Sequence, residues 1–155
     1  MINTTLCYIE RDDKYLMLHR IKKENDVNRD KWIGIGGKFE EKESPEDCIL
    51  RESLEETGLL LNKPDYRGIV TFVSDRYETE WMHLFTCDQF SGVLKNFDEG
   101  NLEWVDKKFI RTLPMWEGDR IFLDLLESNA PFFSLKLNYQ GDKLIEAVLN
   151  GEKIL

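Results

Sequence analysis

Residues 44–58 read S-P-E-D-C-I-L-R-E-S-L-E-E-T-G, and this stretch carries the signals of a complete helix. Ser44 is a favourable N-cap residue, Pro45 suits the first helical position, and Asp47 gives a capping-box pattern with Ser44. Gly58 is a typical residue for ending a helix. The sequence therefore predicts a helix that begins after Ser44 and ends before Gly58. Its expected buried side consists of Cys48, Ile49, Leu50 and Leu54.

Three carboxylates crowd one side of this predicted helix. Residues three and four apart are neighbours on a helix, so Glu52 lies beside both Glu55 and Glu56. Like charges at these spacings destabilise a helix by about 0.2–0.5 kcal/mol per pair, and Arg51 cannot neutralise three glutamates. A solvated acidic face would also explain the charges, but a Gly-Gly-Lys loop at 36–38 precedes them. Carboxylates beside such a loop suit Mg²⁺, which binds a few carboxylates, waters and substrate phosphates.

Length and composition favour one globular domain over residues 1–155. With 41% hydrophobic residues the chain can bury a substantial core, and no apolar run approaches the roughly 20 residues that span a bilayer. The formal net charge of −9 disfavours a surface for nucleic-acid polymers, although a divalent cation can bring a small phosphorylated ligand to an acidic site. The N-terminus lacks a signal-peptide pattern and the cysteines lack metal spacing, so free thiols and a cytoplasmic location are expected.

The rest of the chain has the pattern of strands with one further helix. The strands are expected at 4–9, 15–20, 68–75, 79–88, 102–105 and 132–139. The first two should form a hairpin. A second helix is predicted over 118–128, and residues 143–149 fit a strand or a helix equally well. This order predicts an α/β (α+β) fold in which helices pack on a mixed β-sheet.

The first helix and the loop before it resemble the Nudix box, G-x(5)-E-x(7)-R-E-U-x-E-E-x-G-U, in which U is a bulky aliphatic residue. The fixed positions are met by Gly37, Glu43, Arg51, Glu52, Glu55, Glu56 and Gly58. Leu59 supplies the last aliphatic position, whereas Ser53 stands where the first is expected. The segments W-I-G-I-G-G-K-F-E at 32–40 and M-W-E-G-D at 115–119 are similar to MutT-type members, which include the human MutT homologue and bacterial relatives. The resemblance implies a Nudix-type α/β/α sandwich.

The resemblance also implies which residues bind metal and take part in catalysis. The implied metal ligands are the carbonyl of Gly36 and the carboxylates of Glu52, Glu55, Glu56 and Glu99. The implied catalytic residues are Glu52, Glu55, Glu56 and Arg51, with Arg51 orienting a glutamate of the box. Asp98 and Glu103 are alternatives to Glu99 for the most distant ligand. The implied cofactor is Mg²⁺, with Mn²⁺ as a substitute.

A nucleotide site follows from the same resemblance. Arg20 and Lys38 match basic residues that meet phosphates. The positions that match the wall of the base pocket are Thr5, Ile33, Ile35, Trp116 and Asp119. The human MutT homologue has Asn at the position of Ile33 and two adjacent acids where this chain has Gly118 and Asp119. These departures leave the exact nucleotide preference open.

The implied reaction is Mg²⁺-dependent hydrolysis of an oxidised purine nucleoside triphosphate, such as 8-oxo-dGTP, to the monophosphate and pyrophosphate. Such a reaction sanitises the nucleotide pool and thereby supports DNA repair. Either Glu55 or Glu56 would act as general base. The alternatives are a Nudix hydrolase of another diphosphate-linked substrate, such as a dinucleoside polyphosphate or a pterin triphosphate, and a non-catalytic ligand sensor. The expected partner is a small-molecule nucleotide rather than a nucleic-acid polymer or a membrane, and the expected assembly is a monomer or a homodimer.

Overall fold

The computed structural model describes residues 1–21, 30–95 and 100–155 as a mixed β-sheet with a helix on each face. The strands are β1 Ile2–Arg11, β2 Lys14–Arg20, β3 Trp32–Ile33, β4 Leu59–Leu61, β5 Asp65–Ser74, β6 Glu80–Cys87, β7 Phe90–Gly92, β8 Gly100–Asp106, β9 Phe133–Gln140, β10 Lys143–Leu149 and β11 Glu152–Lys153. The helices are α1 Pro45–Thr57 and α2 Glu117–Glu127, with a short 3-10 helix at Lys107–Thr112. In this part of the chain no helix is long and apolar enough to cross a membrane.

The main sheet has the order β11-β10-β9-β5-β6-β1-β2-β3, and β8 pairs with β2. The pairs β1–β6 and β5–β9 are parallel, whereas the β1–β2, β5–β6 and β9–β10 pairs are antiparallel. β4 and β7 form a separate two-stranded ribbon. The predicted mixed sheet and the predicted β1–β2 hairpin are therefore confirmed.

The two faces of the sheet bury separate hydrophobic clusters. One cluster, here called the α2 cluster, lies between the sheet and α2 and includes Leu6 and Tyr8 of β1. The other, the α1 cluster, lies between the sheet and α1 and includes Cys7 and Ile9 of the same strand. Successive side chains of a strand point to opposite faces, so β1 contributes to both cores. This arrangement is the predicted α/β/α sandwich.

Residues 32–38 lie between the ends of β1 and β2. The two strands pair directly only near their turn, where Ile9 is opposite Leu16. Farther from the turn, β3 pairs with β2, and Ile35 forms a bridge with Cys7 of β1. The segment therefore extends the sheet while it brings its glycines against β1.

Glycine is required in this segment because its backbone packs directly against that of β1. A Cβ at Gly36 would lie 1.8 Å from the carbonyl oxygen of Thr5. The flanking residues pair with β1, since the N–H of Cys7 donates to the carbonyl of Ile35 at 2.6 Å and the N–H of Thr5 donates to that of Gly37 at 2.9 Å. The Gly36 carbonyl lies between these hydrogen bonds and therefore points away from β1.

The predicted helix boundaries of α1 are confirmed. The hydroxyl of Ser44 accepts from the N–H of Asp47 at 3.1 Å, and the Asp47 carboxylate accepts from the N–H of Ser44 at 3.0 Å. Gly58 has φ 81°, and its N–H donates to the carbonyl of Leu54. This left-handed conformation favours glycine, which explains why the helix ends there.

The buried side of α1 agrees with the predicted one at Cys48 and Ile49 and differs from it farther along the helix. Leu54 is 48% exposed, whereas Ser53 is fully buried. The buried positions Ile49, Ser53, Glu56 and Thr57 follow the spacing of a single helix face. The Ser53 hydroxyl donates to the carbonyl of Leu59 at 3.1 Å, so a hydrogen bond stands where the family pattern has an aliphatic side chain.

Tertiary pairing decides the elements that the sequence left open. Residues 143–149 form β10 because they pair with β9, with Ala147 opposite Leu137. The sequence did not predict β4, β7 or β11, which are two or three residues long. Such short segments show no hydrophobic period and form only because a partner strand lies beside them.

We expect Gly36→Ala to destabilise the protein by about 2 kcal/mol or more, because the new methyl group would displace the backbone of β1. Chemical denaturation followed by circular dichroism would measure the change. Gly151→Asn is the matched control, since a Cβ at Gly151 meets nothing within 4 Å and asparagine tolerates its φ of 83°. Equal stability of both variants would contradict the close approach of Gly36 to Thr5.

Candidate active site

Arg51 connects the glutamates at the start and in the middle of α1. Its Nε and Nη2 donate to both carboxylate oxygens of Glu43 at 2.7 and 2.9 Å. Its Nη1 donates to Glu52 at 2.9 Å and to Glu55 at 3.2 Å. A further donation from Nη2 to the carbonyl of Lys38, at 3.0 Å, holds the loop before the helix. One guanidinium therefore fixes three carboxylates and a backbone group.

The Arg51–Glu43 pair is the strongest part of this network. Two parallel hydrogen bonds match the guanidinium fork to a carboxylate, and both side chains are largely buried. The hydrogen bonds from Arg51 lower the pKa of Glu43 from 4.5 to about 2, and they also raise the pKa of Arg51. Both groups are consequently charged at neutral pH.

Glu52 lies directly against residues 32–38, here called the glycine segment. A Cβ at Gly37 would lie 2.5 Å from the carboxyl carbon of Glu52, so a larger residue at this position would fill the space that the carboxylate occupies. The Glu52 side chain is only 14% exposed. The carboxylate therefore packs against the backbone of Gly37, and the space between residues 32–38 and the Glu52 side of α1 is here called the cleft.

Glu55 and Glu56 have different environments. Glu56 follows Glu52 by one helical turn and is buried, with 9% of its surface exposed. The Glu55 side chain is 60% exposed and is bound to Arg51. The side of α1 that faces the glycine segment therefore presents Glu52 and Glu56, while Glu55 lies toward solvent.

These oxygen atoms have the chemistry of a site for a hard divalent cation. The carboxylates of Glu52 and Glu56 and the carbonyl of Gly36 are the donors that Mg²⁺ accepts, with waters and phosphate oxygens completing the set. Among the described residues no group of three or more His, Cys, Asp or Glu side chains is arranged to hold a metal ion. The predicted ligand Glu99 and its alternative Asp98 lie outside the described residues. The other alternative, Glu103, is exposed on β8 opposite Met17.

Trp116 and Asp119 lie together at the start of α2. The Trp116 ring makes edge contacts with Phe72 and Tyr139, at centroid distances of 5.3 and 4.9 Å. Asp119 is buried, and this burial raises the pKa of its carboxyl from 3.8 to about 8, against the opposing charges of Arg120 and Lys31. At neutral pH most of the Asp119 carboxyl is therefore protonated and can donate a hydrogen bond.

The structure explains the glycine that precedes Asp119. The N–H of Gly118 donates to the hydroxyl of Tyr139 at 2.8 Å. A Cβ at Gly118 would lie 2.4 Å from Cδ1 of Leu137 and 2.7 Å from the Tyr139 hydroxyl. An acidic side chain has no room at this position, so Asp119 is the buried carboxyl of this turn, while Glu117 is exposed.

Three residues that the resemblance matched to the base pocket contact α1 or the α1 cluster instead. The Thr5 hydroxyl lies 3.3 Å from Sγ of Cys48 on α1. Ile35 belongs to the α1 cluster, and Ile33 packs against it. Trp116 belongs to the α2 cluster, which includes side chains from the opposite face of β1. Thr5, Ile33 and Ile35 are therefore not brought together with Trp116.

The two basic residues matched to phosphates flank the glycine segment. Lys38 is exposed, and its carbonyl accepts a hydrogen bond from Arg51. Arg20 ends β2, and its N–H donates to the carbonyl of Lys31 at 3.1 Å. No sequence pattern selected Lys31, which precedes β3. Its ammonium group lies 4.5 Å from the centroid of the Trp116 ring.

Comparison with known proteins identifies the class. The NUDIX domain family matches residues 2–126, so the chain belongs to the Nudix family and is a Nudix hydrolase. Nudix hydrolases act on small-molecule nucleotide substrates and generally use divalent metal ions. The cleft between the glycine segment and α1 contains the residues that define the family.

Individual relatives agree with this class. The chain is 36% identical over 127 residues to the uncharacterized Nudix hydrolase YvcI of Bacillus subtilis. The aligned region covers 79% of this chain and 77% of that protein. It is 32% identical over 117 residues, 74% of each chain, to an oxidized purine nucleoside triphosphate hydrolase of Danio rerio. The crystal structure of a mutator MutT protein from Bacillus halodurans is similar with a TM-score of 0.87 and 26% identity, covering 98% of this chain and 99% of that one.

We expect Glu43→Gln to lower the unfolding temperature at pH 7 by several degrees, because the variant loses the charged bidentate pair with Arg51. The pKa of Glu43 is depressed in the folded state, so the pair contributes stability above pH 4.5 that is lost as the pH falls toward 2. The difference between wild type and variant should therefore shrink over that range. Thermal unfolding followed by circular dichroism at several pH values would measure it.

Glu40→Gln is the matched control for this experiment. Glu40 lies 3.4 Å from Nε of Arg51, but its side chain is 62% exposed. Its replacement should change the unfolding temperature little at any pH. Equal effects of the two substitutions would show that the bidentate pair contributes no more than an exposed ion pair.

Proposed function

We propose that this Nudix hydrolase converts a purine nucleoside triphosphate, with 8-oxo-dGTP as the leading candidate, to the monophosphate and pyrophosphate with Mg²⁺ as cofactor. The observation that carries the proposal is the buried, largely protonated carboxyl of Asp119 beside the ring of Trp116. An aromatic ring with a single hydrogen-bonding group next to it suits a planar, polar-edged base. The named activity of the Danio rerio relative supports the same substrate class.

We assign the cation to the cleft beside the glycine segment. Glu52, Glu56 and the carbonyl of Gly36 are the proposed ligands, and Glu55 and Glu99 remain predicted ones. When bound, the cation neutralises charge on the phosphate chain and makes an attacking water easier to deprotonate. Mn²⁺, with similar ligand preferences, is the expected substitute.

The chain's own residues then orient the substrate and deprotonate the attacking water. Arg51 holds Glu52 against the glycine segment, and Lys38 and Arg20 supply positive charge for the phosphates. Water attacks an internal phosphorus, the bond to the pyrophosphate oxygen breaks, and Glu56 accepts the proton from the water. We favour Glu56 over Glu55 as general base because Glu56 is buried on the side of the glycine segment, while the Glu55 carboxylate is exposed and bound to Arg51.

The base is proposed to lie against Trp116, with Asp119 donating to an acceptor atom on its edge. The protonated carboxyl can donate one hydrogen bond and accept others, whereas a carboxylate can only accept. The predicted cytoplasmic location, and a monomer or homodimer as the assembly, are part of the same proposal.

We expect Glu56→Gln to fold normally and to reduce kcat with Mg²⁺ by about a thousandfold, since general bases contribute 10²–10⁴-fold. Glu55→Gln is the matched comparison and should reduce kcat far less, because the Glu55 carboxylate is exposed. Steady-state release of pyrophosphate measures both variants. Retained turnover in Glu56→Gln would overturn the assignment of Glu56, and a larger loss in Glu55→Gln would transfer the role of base to Glu55.

We expect KM for purine triphosphates to rise above about pH 8, where Asp119 ionises and loses its donor. Asp119→Asn should remove this dependence, since an amide donates at every pH. Asp119→Ala should raise KM for dGTP more than for dCTP at neutral pH. KM profiles for wild type and both variants, with dCTP as reference substrate, would test this. Parallel profiles for dGTP and dCTP in the wild type would remove Asp119 from base recognition.

A substrate panel tests the activity as a whole. Pyrophosphate release with Mg²⁺ would be measured for 8-oxo-dGTP, dGTP, 2-oxo-dATP, dATP and dCTP, with diadenosine polyphosphates alongside. A strong preference for 8-oxo-dGTP is the expected result. A preference for the dinucleotides would keep the glutamate site and refute the proposed substrate.

A further inference from the structure

Backbone hydrogen bonds hold Lys31 beside Trp116, the proposed wall of the base pocket. The Lys31 carbonyl accepts from the N–H of Arg20 at 3.1 Å, which ties it to β2. The next N–H along the chain, that of Trp32, donates to the carbonyl of Pro114 at 2.8 Å. Pro114 precedes Trp116 by two residues, so these hydrogen bonds connect the backbone at Lys31 to the turn that carries the Trp116 ring.

The Lys31 side chain covers that ring. Its ammonium group lies 4.5 Å from the centroid of the Trp116 ring, within the range of a cation–π contact. Trp116 is only 5% exposed in this arrangement. A base that stacks on Trp116 must therefore displace the ammonium group. The long, flexible stem of lysine lets that group move from the ring face to the edge of the base while the backbone stays fixed.

The polar groups near the Trp116 ring, those of Lys31 and Asp119, offer hydrogen-bond donors and few acceptors. An ammonium group has three donors and no acceptor. Asp119, being largely protonated at neutral pH, adds one donor together with its remaining acceptor capacity. Guanine-type bases present the acceptor O6 at this edge, and lysine is a common partner for it. The neighbouring N7 accepts in guanine but carries a proton in 8-oxoguanine. Adenine-type bases place an amino donor at the same position, where it would face the ammonium group.

We propose that Lys31 is a specificity-determining residue, which donates to O6 of a 6-oxopurine stacked on Trp116 and thereby disfavours a 6-aminopurine. The proposal rests on the proposed function only in that a purine occupies the Trp116 wall. It does not depend on the metal site or on turnover.

The test is the binding of dGMP and dAMP to the intact chain without metal, measured by isothermal titration calorimetry. Wild type should bind dGMP more tightly than dAMP, and Lys31→Met should reduce the ratio of the two affinities about tenfold, as expected for the loss of a lysine contact to a base edge. Lys31→Arg should keep most of the ratio because arginine donates to the same edge. Lys108→Met is the matched control, since Lys108 lies 5.1 Å over the exposed ring of Phe109 and loses the same charge.

Three outcomes would overturn the role of Lys31. They are a wild type that does not distinguish the two nucleotides, a Lys31→Met variant with an unchanged ratio, and a Lys108→Met variant with the same loss. Turnover of dGTP and dATP, measured in parallel, separates this proposal from the proposed function. Hydrolysis with a ratio independent of Lys31 refutes the role of Lys31 alone. Lys31-dependent binding selectivity without hydrolysis supports that role and refutes the catalytic proposal.

Discussion

The close approach of Gly36 to the carbonyl of Thr5 is the constraint on which the rest of the site depends. Only a residue without a Cβ permits this contact, and the contact places residues 32–38 between β1 and β2. The same segment leaves room at Gly37 for the carboxylate of Glu52. The cleft therefore exists because two backbone segments pack without side chains between them.

Arg51 offsets the repulsion among the glutamate carboxylates of this site. Glu43 takes one side of its guanidinium in a bidentate pair, and the other side reaches Glu52 and Glu55. Repulsion along α1 is thereby reduced. The pair also fixes the loop carbonyl at Lys38, so the geometry of the cleft and the stability of the helix depend on the same side chain.

At the start of α2, burial rather than a paired charge decides the protonation state of the carboxyl group. Asp119 lies in an apolar environment between the sheet and α2, which favours its protonated form. Tyr139 accepts from the N–H of Gly118, and with Leu137 it leaves no room for a side chain at that position. The ammonium group of Lys31 lies over the Trp116 ring. The start of α2 thus holds a buried carboxyl near a cation, whereas α1 concentrates carboxylates around a single guanidinium.

The sequence by itself determined α1 with both its caps, the β1–β2 hairpin, the mixed sheet and the class of hydrolase, because local capping rules and fixed spacing along one helix set them. It also selected Arg51 and the box glutamates together. It misjudged Leu54, since the buried face of α1 depends on which side meets the sheet. Only the tertiary structure separated Thr5 and Ile35 from Trp116 and brought Lys31 to its ring. Strand alternation and the docking of distant backbone segments decide such contacts, and no short-range pattern encodes them.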